Sequence, residues 1–505
     1  MNRLSKKWMK EDWATEEVVF PFIVVGVVLV LLFCFSNGIW GNDFWWHVKV
    51  GEWICENGKI PENDIFSWYG IEKKLPWTAH EWLADVIYYL IMRFGGEAGG
   101  YFFCLGAGFL MTFLILGQVK EQIKENVLIG SVYIIFLAVT ISLFFYGRPH
   151  MFSFFLLFFE LKILYGFVEN TDSKWIWCVP VIGCLWSNLH GGSSNLAYLL
   201  CLVFLIASTL NINFGRMYSQ RLSKSAVAKL AVVSFATIIS ILINPIGIKV
   251  LTFPYSSISD VLMMSAISEW EPPDAKNIAQ LVIYFMPIVL MTIGIIAKKT
   301  RVRLLDFLIM GMFLYLFLRS VRFIMLWYIA ACFYAFPYLP KLELKPLEKK
   351  VEKKLLAIAF VLFCIPLVME VNNVVQSERN SYVSKVMSDE AIKAVKNNPT
   401  ERMYNDYNLG EALIYNDIFV FYDARADMYL QENIFADGIS MSNLIQKNPD
   451  AETTYVDVEK LIEKYDFDSI LILKFRPLYS YLSSHEEMVE CIYEDEDLAY
   501  FKLIK

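Results

Sequence analysis

The sequence predicts an α-helical polytopic membrane domain followed by a small external α/β domain. Apolar runs long enough to span a bilayer recur from Val18 to Val371. Only 19% of the 505 residues are charged and 56% are hydrophobic, whereas a soluble chain is about a quarter charged. The remainder, from Asn372 to Lys505, has the composition of a soluble protein. The predicted domains are therefore 1–371 and 372–505.

The membrane domain is predicted to contain about eleven spans, because a crossing helix needs about 20 apolar residues. The spans lie near 18–37, 99–118, 127–146, 151–168, 175–190, 195–212, 228–244, 278–297, 304–318, 323–340 and 354–371. No small-residue cleavage site precedes Trp40, so the first span is predicted to be an uncleaved anchor.

Lysine and arginine in alternate loops predict the orientation. The N-terminus and the loops 119–126, 213–227, 298–303 and 341–354 are rich in basic residues, and the intervening short loops carry few. Cytoplasmic loops carry the excess of positive charge. The N-terminus is therefore predicted to be cytoplasmic and the C-terminal domain external, in the inner (plasma) membrane of a bacterial cell.

The long segment 38–98 is predicted to be an external loop with interfacial helices. It contains six tryptophans, a residue that prefers the headgroup zone: Trp45, Trp46, Trp53, Trp68, Trp77 and Trp82. Val48–Cys55 and Glu81–Phe94 have helical apolar spacing and are short. Both are predicted to be helices along the outer membrane surface.

The tail has a mixed α/β pattern. Asp389–Val395 and Val456–Tyr465 are predicted to be helices. Ile418–Tyr422, Ser469–Leu473 and Leu498–Leu503 are predicted to be strands, because they are short apolar runs between turn residues.

Several function classes find no support. The sequence has no P-loop, GxGxxG motif or serine nucleophile elbow, and no basic stripe that would bind nucleic acid. Its nine cysteines include no CxxC pair, so no zinc or disulfide framework is predicted.

The unusual polar residues near the membrane gather on the predicted external face. They are Asn42, Asp43, His47, His80, Glu81, Arg148, His150, Asn188, His190, Asn244, Glu269, Glu271, Arg319 and Arg322. Polar groups at membrane depth are costly, so their clustering suggests a functional site.

Each motif also has a structural interpretation. Asp43, beside two indoles, suits a base of raised pKa, but it also suits a helix cap, which residue type alone favours slightly. Arg148 with His150, and Asn188 with His190, are candidates to bind a sugar or orient a carboxylate, or simply to satisfy helix-end carbonyls.

Arginines and an acidic–aromatic pair supply two further candidates. Arg319 and Arg322 suit a phosphate at headgroup level or plain snorkelling to the headgroups. Glu269 with Trp270 is a frequent sugar-binding combination, or a polar loop. In the tail, 404–410 and 422–429 place acidic and aromatic residues after predicted strands, where α/β domains bind ligands, although turns and helix caps are favoured slightly.

Together these residues resemble the GT-C superfamily of membrane glycosyltransferases. The segments DFWWHVKVGEWI, GKIPENDIFSW, WTAHEWLADVIYYL, GRPHMFS, SNLHGG, NPIG and SEWEPP are similar to a largely uncharacterised bacterial group within it. The tail segments YNDYNLGEALIY and VFYDARADMY fit the same group.

The resemblance implies sugar transfer from a polyprenyl-phosphate carrier on the external side. It makes Asp43 the carboxylate that acts as base or orients the acceptor, with His47 beside it, and makes Arg319 or Arg322 the holder of the carrier phosphate. His80, Glu81, Arg148, His150, Asn188, His190, Glu269 and Trp270 are predicted to bind substrate. Asn42 replaces the first acid of the family's usual doublet, so no metal ligand is assigned, although a divalent metal is compatible with the resemblance.

Two other functions compete with an enzyme that uses a lipid carrier and acts on an envelope acceptor. One is a glycolipid transporter or flippase, which usually has polar residues at mid-membrane in broken helices. The other is a non-catalytic protein of envelope polysaccharide assembly, which would need no buried aspartate and no paired arginines. The one-sided distribution of polar residues favours the enzyme.

Overall fold

The computed structural model describes residues 43–125, 140, 146–258, 267–274, 276–298, 300–339, 386–446 and 454–504. The spans predicted near 18–37 and 354–371, nearly all of the span near 127–146, and the domain boundary after 371 lie outside these residues. That boundary stays a prediction.

The described α-helices, in chain order, are α1 (Phe44–Asn57), α2 (Trp68–Lys73), α3 (Trp82–Glu125), α4 (His150–Glu169), α5 (Val179–Leu189), α6 (Asn195–Thr209), α7 (Lys224–Ile241), α8 (Lys249–Ile258), α9 (Ile278–Lys298), α10 (Leu304–Arg319), α11 (Ile324–Tyr334), α12 (Asp389–Asn397), α13 (Gly410–Tyr415), α14 (Ile434–Asn443), α15 (Val458–Tyr465) and α16 (Pro477–Ser483). Helix α3 is interrupted at Gly96, whose φ of 60° and ψ of −161° only glycine adopts readily.

The described strands are β1 (Asn213–Phe214), β2 (Met217–Tyr218), β3 (Val302–Arg303), β4 (Met403–Asn405), β5 (Ile445–Gln446), β6 (Thr454–Tyr455), β7 (Ser469–Leu473), β8 (Val489–Glu494) and β9 (Leu498–Leu503). The chain forms two compact units, each discontinuous in sequence. The helical unit contains the described residues of 101–244 and 269–339, and the mixed unit contains those of 43–100, 245–268 and 386–504.

Five described helices are long and apolar enough to cross a membrane. They are Trp82–Gln122, His150–Glu169, Gly191–Thr209, Lys224–Ile241 and Val321–Tyr338. They coincide with the spans predicted near 99–118, 151–168, 195–212, 228–244 and 323–340. The segments predicted near 278–297 and 304–318 form α9 and α10. The segment near 175–190 divides into a 3₁₀ turn at Lys174–Cys178 and the short helix α5. The total of about eleven spans stays a prediction.

The helical unit is organised around α11, in which all eleven residues are buried. Such a helix is apolar on every side because other elements cover it completely. Helix α5 packs closely on α7 at Gly183, where an added Cβ would lie 3.0 Å from Thr237 Cγ2. Small residues allow membrane helices to approach closely.

A four-stranded sheet forms the tail part of the mixed unit. Its strand order is β4-β7-β9-β8, with β4 parallel to β7 and the other pairs antiparallel. The prediction of strands at β7 and β9 and of helices at α12 and α15 is therefore confirmed in kind and position. Strands β4 and β8 had not been predicted.

The predicted strand Ile418–Tyr422 is wrong, since only Val420 forms a bridge there, parallel to Ser67. The side chain of Asn405 takes the hydrogen bonds that a neighbouring strand would have made. Its Nδ2 donates to Tyr422 O at 3.0 Å, and its Oδ1 accepts from Phe421 N at 2.7 Å. A short apolar run does not reveal that a side chain, rather than a strand, satisfies its backbone.

The segment predicted to lie along the membrane surface contributes to the core of the mixed unit. Helix α1 starts four residues before the predicted Val48, and the first part of α3 ends at the break at Gly96, two residues after the predicted end at Phe94. Trp45, Trp46 and Trp77 are buried. Trp45 packs against Tyr415 with ring centroids 4.6 Å apart. These three indoles therefore stabilise the protein interior, in contrast to the headgroup location that the sequence predicted.

Gly51 sets the spacing between α1 and α3. A Cβ at this position would overlap the carbonyl oxygen of Asp85 and crowd Tyr89 Cβ. We expect Gly51→Ala to lower the free energy of unfolding by about 1–3 kcal/mol, because two backbones must separate. The thermal unfolding of the full chain measures this. Gly106→Ala, which places its methyl group in open space on α3, is the matched control, and an equal loss there would contradict the explanation.

Candidate functional site

Loops of the helical unit bring together Tyr146, Arg148, Glu269, Trp270 and Arg322, which we call the arginine–glutamate cluster. Arg148 lies in the turn before α4, where its N–H donates to Tyr146 O at 2.7 Å. Glu269 and Trp270 belong to the 3₁₀ turn Ser268–Trp270. Ser320 Oγ donates to Glu269 O at 2.8 Å, which attaches this turn to the loop carrying Arg322.

Glu269 is the centre of this cluster. Arg148 Nη1 donates to Glu269 Oε2 at 2.6 Å, and Tyr146 Oη donates to Oε1 at 3.0 Å. Burial acts to raise the pKa of Glu269, but the positive charges of Arg148 and Arg322 outweigh it and lower the pKa to about 2. Glu269 is therefore ionised at neutral pH, and its chemistry is to hold the arginines rather than to exchange a proton.

The two arginines that the sequence pairs have different environments. Arg322 is half-buried, with its guanidinium 4.9 Å from the centroid of the Trp270 ring. Arg319 is the last residue of α10 and is exposed. Arg148 and Arg322, rather than Arg319, are the arginines whose charge acts on Glu269. Two guanidinium groups and one carboxylate leave a net positive charge, which suits a phosphate.

His150 begins α4 beside this cluster. Its ring lies against Tyr146, with centroids 5.0 Å apart, and against Phe154 at 5.3 Å. Its positive form would also act on Glu269 and lower the pKa of that carboxyl. The structure thus brings Arg148, His150, Glu269, Trp270 and Arg322 into one region of the helical unit.

Asn188 and His190 have structural partners, as their alternative interpretation predicted. Asn188 Nδ2 donates to the carbonyl oxygens of Cys184 at 2.8 Å and Ile243 at 2.9 Å. His190 Nδ1 lies 2.6 Å from Ser153 Oγ and 2.8 Å from Ser193 Oγ, and the ring is buried. These contacts connect helix ends.

In the mixed unit, His47 of α1 contacts two carboxyl groups of the segment that begins α3. His47 Nδ1 lies 2.6 Å from Asp85 Oδ1, and both side chains are fully buried. His47 Nε2 lies 3.9 Å from Glu81 Oε2, and His80 Nε2 lies 3.8 Å from Glu81 Oε1. His80 Nδ1 faces Thr78 O at 3.0 Å. Because His47 is 1% exposed, this arrangement fixes α1 on α3 more directly than it reaches a substrate.

Asp43 precedes α1, and its side chain makes no capping hydrogen bond. The capping alternative, which residue type had favoured slightly, is therefore wrong. The negative charge of Asp43 instead acts on the carboxyl of Glu411, which is buried at the start of α13.

The tail motifs fold into the interior of the mixed unit. Arg425 is 2% exposed. It donates through Nη2 to Asp423 Oδ2 at 2.6 Å, and its Nη1 forms an ion pair with Asp64 Oδ1 at 2.9 Å. Its guanidinium lies 4.7 Å from the centroid of the Trp77 ring. This motif is therefore an internal ion-pair network that joins the segment around Asp64 to the tail.

Sequence reasoning missed Tyr146, Asp85 and Glu411. Tyr146 and Asp85 fall in segments that look like ordinary apolar or amphipathic helix, where a single polar residue gives no signal. Glu411 is inside a motif that had been noted, but its burial depends on the fold of the tail. Among the described residues, no three His, Cys, Asp or Glu side chains are arranged to hold a metal ion.

Comparison with solved structures gives the fold a known counterpart. The chain is similar to the oligosaccharyltransferase of Archaeoglobus fulgidus in its apo form, with a TM-score of 0.50 and 11% identity over 92% of this chain and 70% of that chain. The form tethered to an acceptor peptide containing the NVT sequon gives 0.56 and 11%, over 99% and 75%. The archaeal oligosaccharyltransferase AglB of the same organism, in complex with an inhibitory peptide and a dolichol-phosphate, gives 0.51 and 10%, over 92% and 70%.

No protein-family model matches the sequence, and no curated protein matches it. At about 11% identity the likeness shows the fold. The apolar helices and this likeness together indicate a membrane protein with a fold like that of the archaeal oligosaccharyltransferase.

Proposed function

We propose that this chain is a membrane glycosyltransferase. It moves a sugar from a polyprenyl-phosphate carrier to an envelope acceptor on the external face of a bacterial inner membrane. The arginine–glutamate cluster is the observation that carries the proposal. It has two guanidinium groups but only one carboxylate, Glu269, whose pKa both of them lower. The cluster lies at the level of short loops between apolar helices. A lipid phosphate presents its charge at that level.

The fold supports a lipid-linked donor. One similar structure was obtained with a dolichol-phosphate and another with an acceptor peptide. In the proposal, Arg322 and Arg148 bind the carrier phosphate, and the half-buried Trp270 ring offers an apolar surface to the sugar or the first isoprene unit. Asp43 accepts the proton of the attacking acceptor hydroxyl while the carrier phosphate leaves. Guanidinium groups stabilise the negative charge that grows on this leaving group.

Binding of polyprenyl-phosphate to the full chain in lipid nanodiscs tests the proposal first. We expect saturable binding that Arg322→Ala weakens by about 10–100-fold, because a hydrogen bond to a charged group contributes about 1.5–3 kcal/mol. Arg319→Ala is the matched control, since this arginine lies in the same loop region and is exposed. Its effect should stay below about threefold, as for a screened surface charge.

Two results would contradict the proposal. One is the absence of saturable binding, and the other is an equal loss in both arginine variants. If the chain in reconstituted lipid vesicles moves a labelled glycolipid from one leaflet to the other without transferring sugar, that result would favour a transporter instead.

A further inference from the structure

Glu411, which belongs to the tail segment YNDYNLGEALIY, is a buried carboxyl in the mixed unit. It is 3% exposed and lies in the first turn of α13. Its Oε1 accepts a hydrogen bond from the backbone N–H of Ala424 at 2.9 Å. A buried carboxyl with so little compensation needs a reason, because burying a charge is costly.

Helix packing places Glu411 next to Asp43. Helices α1 and α13 lie side by side and run in the same direction. Trp45 of α1 packs on Tyr415 of α13 at 4.6 Å, and further along Lys49 Nζ contacts Asp417 Oδ1 at 2.7 Å. Glu411 precedes Tyr415 by about one helical turn, and Asp43 precedes Trp45 by two residues. The two carboxyl groups therefore occupy the neighbouring first ends of the two helices.

The groups around Glu411 favour its protonated form. Burial has the largest effect, followed by the negative charges of Asp43 and Asp423, and together they raise the pKa of Glu411 to about 8. The Ala424 N–H acts in the opposite direction but is weaker. Asp423 is already held by Arg425 at 2.6 Å. At neutral pH, Glu411 thus retains a proton.

We propose that Glu411 is a positioning residue for Asp43, a neutral carboxyl that leaves Asp43 as the ionised group at this end of α1. The inference rests on the proposed function, in which Asp43 is the base. While Glu411 keeps its proton, Asp43 stays in place beside it as the carboxylate that accepts the acceptor's proton. When Glu411 loses its proton, it becomes a second anion near the half-buried Asp43. Glu411 then moves toward water, and the first turn of α1 loses its contact with this side chain.

The pH dependence follows from the sign of the shift. A carboxyl whose pKa is raised in the folded state supports that state at low pH, and the support is lost as pH rises through the folded pKa. The fraction of Glu411 that keeps its proton falls about tenfold per unit above about pH 8. The transfer rate should therefore fall over the same range, by up to about tenfold per unit. In Glu411→Gln, the rate relative to its own value at neutral pH should stay level over that range.

Asp417→Asn is the matched control, because Asp417 follows α13, contacts Lys49 of α1, and has a side chain that is 76% exposed. That variant should keep the wild-type decline. A Glu411→Gln enzyme that still loses its rate above about pH 8 would overturn the inference.

Infrared spectroscopy of the full chain in nanodiscs tests the proton directly. Infrared difference spectra of the wild type should show one protonated carboxylic acid component that disappears through about pH 8, and Glu411→Gln should lack that component. Transfer without a titrating band would overturn the role of Glu411 alone. A titrating band in a protein that never transfers sugar would overturn the proposed function, and with it any role of Glu411 in supporting a base.

Discussion

Substituting Asp43 with asparagine is expected to lower the rate of sugar transfer by about 10²–10⁴-fold, the range that a positioned general base contributes. An amide has nearly the same shape but cannot accept the proton of the acceptor hydroxyl. The side chain of Asp43 does not cap α1, so the substitution should leave the helix start intact. The measurement is the transfer rate of the full chain in nanodiscs with a polyprenyl-linked sugar.

Two controls show whether the loss of transfer is specific to Asp43 and separate from lipid-phosphate binding. Asp417→Asn removes an acidic side chain close to α1 and should transfer at the wild-type rate. Binding of polyprenyl-phosphate, which the proposal assigns to Arg322 and Arg148, should persist in Asp43→Asn. An Asp43→Asn protein that keeps its transfer rate would remove Asp43 from the mechanism.

Replacing Arg425 with methionine is expected to reduce the free energy of unfolding by about 3–5 kcal/mol. Removing the guanidinium would leave the carboxylates of Asp423 and Asp64 buried without their shared cation, since both side chains are 0% exposed. The aromatic contacts with Trp77 and Phe66 would also lose their cation. Thermal unfolding of the full chain, followed by tryptophan fluorescence, would measure the loss.

Arg402→Met is a close match for this test. Arg402 also contacts two carboxylates, Glu72 and Asp466, and lies over the ring of Trp68, but these charges are largely exposed. Exposed ion pairs contribute about 0–1 kcal/mol. Similar losses in the two variants would show that burial does not decide the strength of the Arg425 network.

The sequence predicted the fold best where a pattern is both long and regular. Helices α4 and α7 follow from apolar length, and α12 and α15 from amphipathic spacing. Prediction was poorer where side chains, rather than strands, complete the backbone hydrogen bonds, as Asn405 does for Phe421 and Tyr422. Strand β4 has three residues, which is too short for an alternating pattern to be distinctive.

The sequence predicted three residues of the candidate site because their positions in the chain place them in the same layer. Arg148, Glu269 and Arg322 each lie in a short loop beside an apolar helix, and loops predicted on one face of a membrane are confined to a thin layer. The same reasoning selected Asn188 and His190, because a polar residue at a helix end has the same signal whether it binds a ligand or a carbonyl. The nearness of Asp43 to Glu411 depends on contacts between distant segments, which no local pattern encodes.

The mixed unit also constrains how the protein is made. Trp68 Nε1 donates to Met403 O at 3.0 Å, across 335 residues of chain, and Trp68 N donates to Val420 O at 2.9 Å. During synthesis, the segment that carries Trp68 therefore leaves the ribosome long before its partner exists. The aromatic side chains of this segment stay uncovered until the intervening helices have been inserted and the partner segment has been made. A ribosome that stops before residue 400 would release a chain whose early segment has nothing to pair with, which makes it a natural target for membrane proteases.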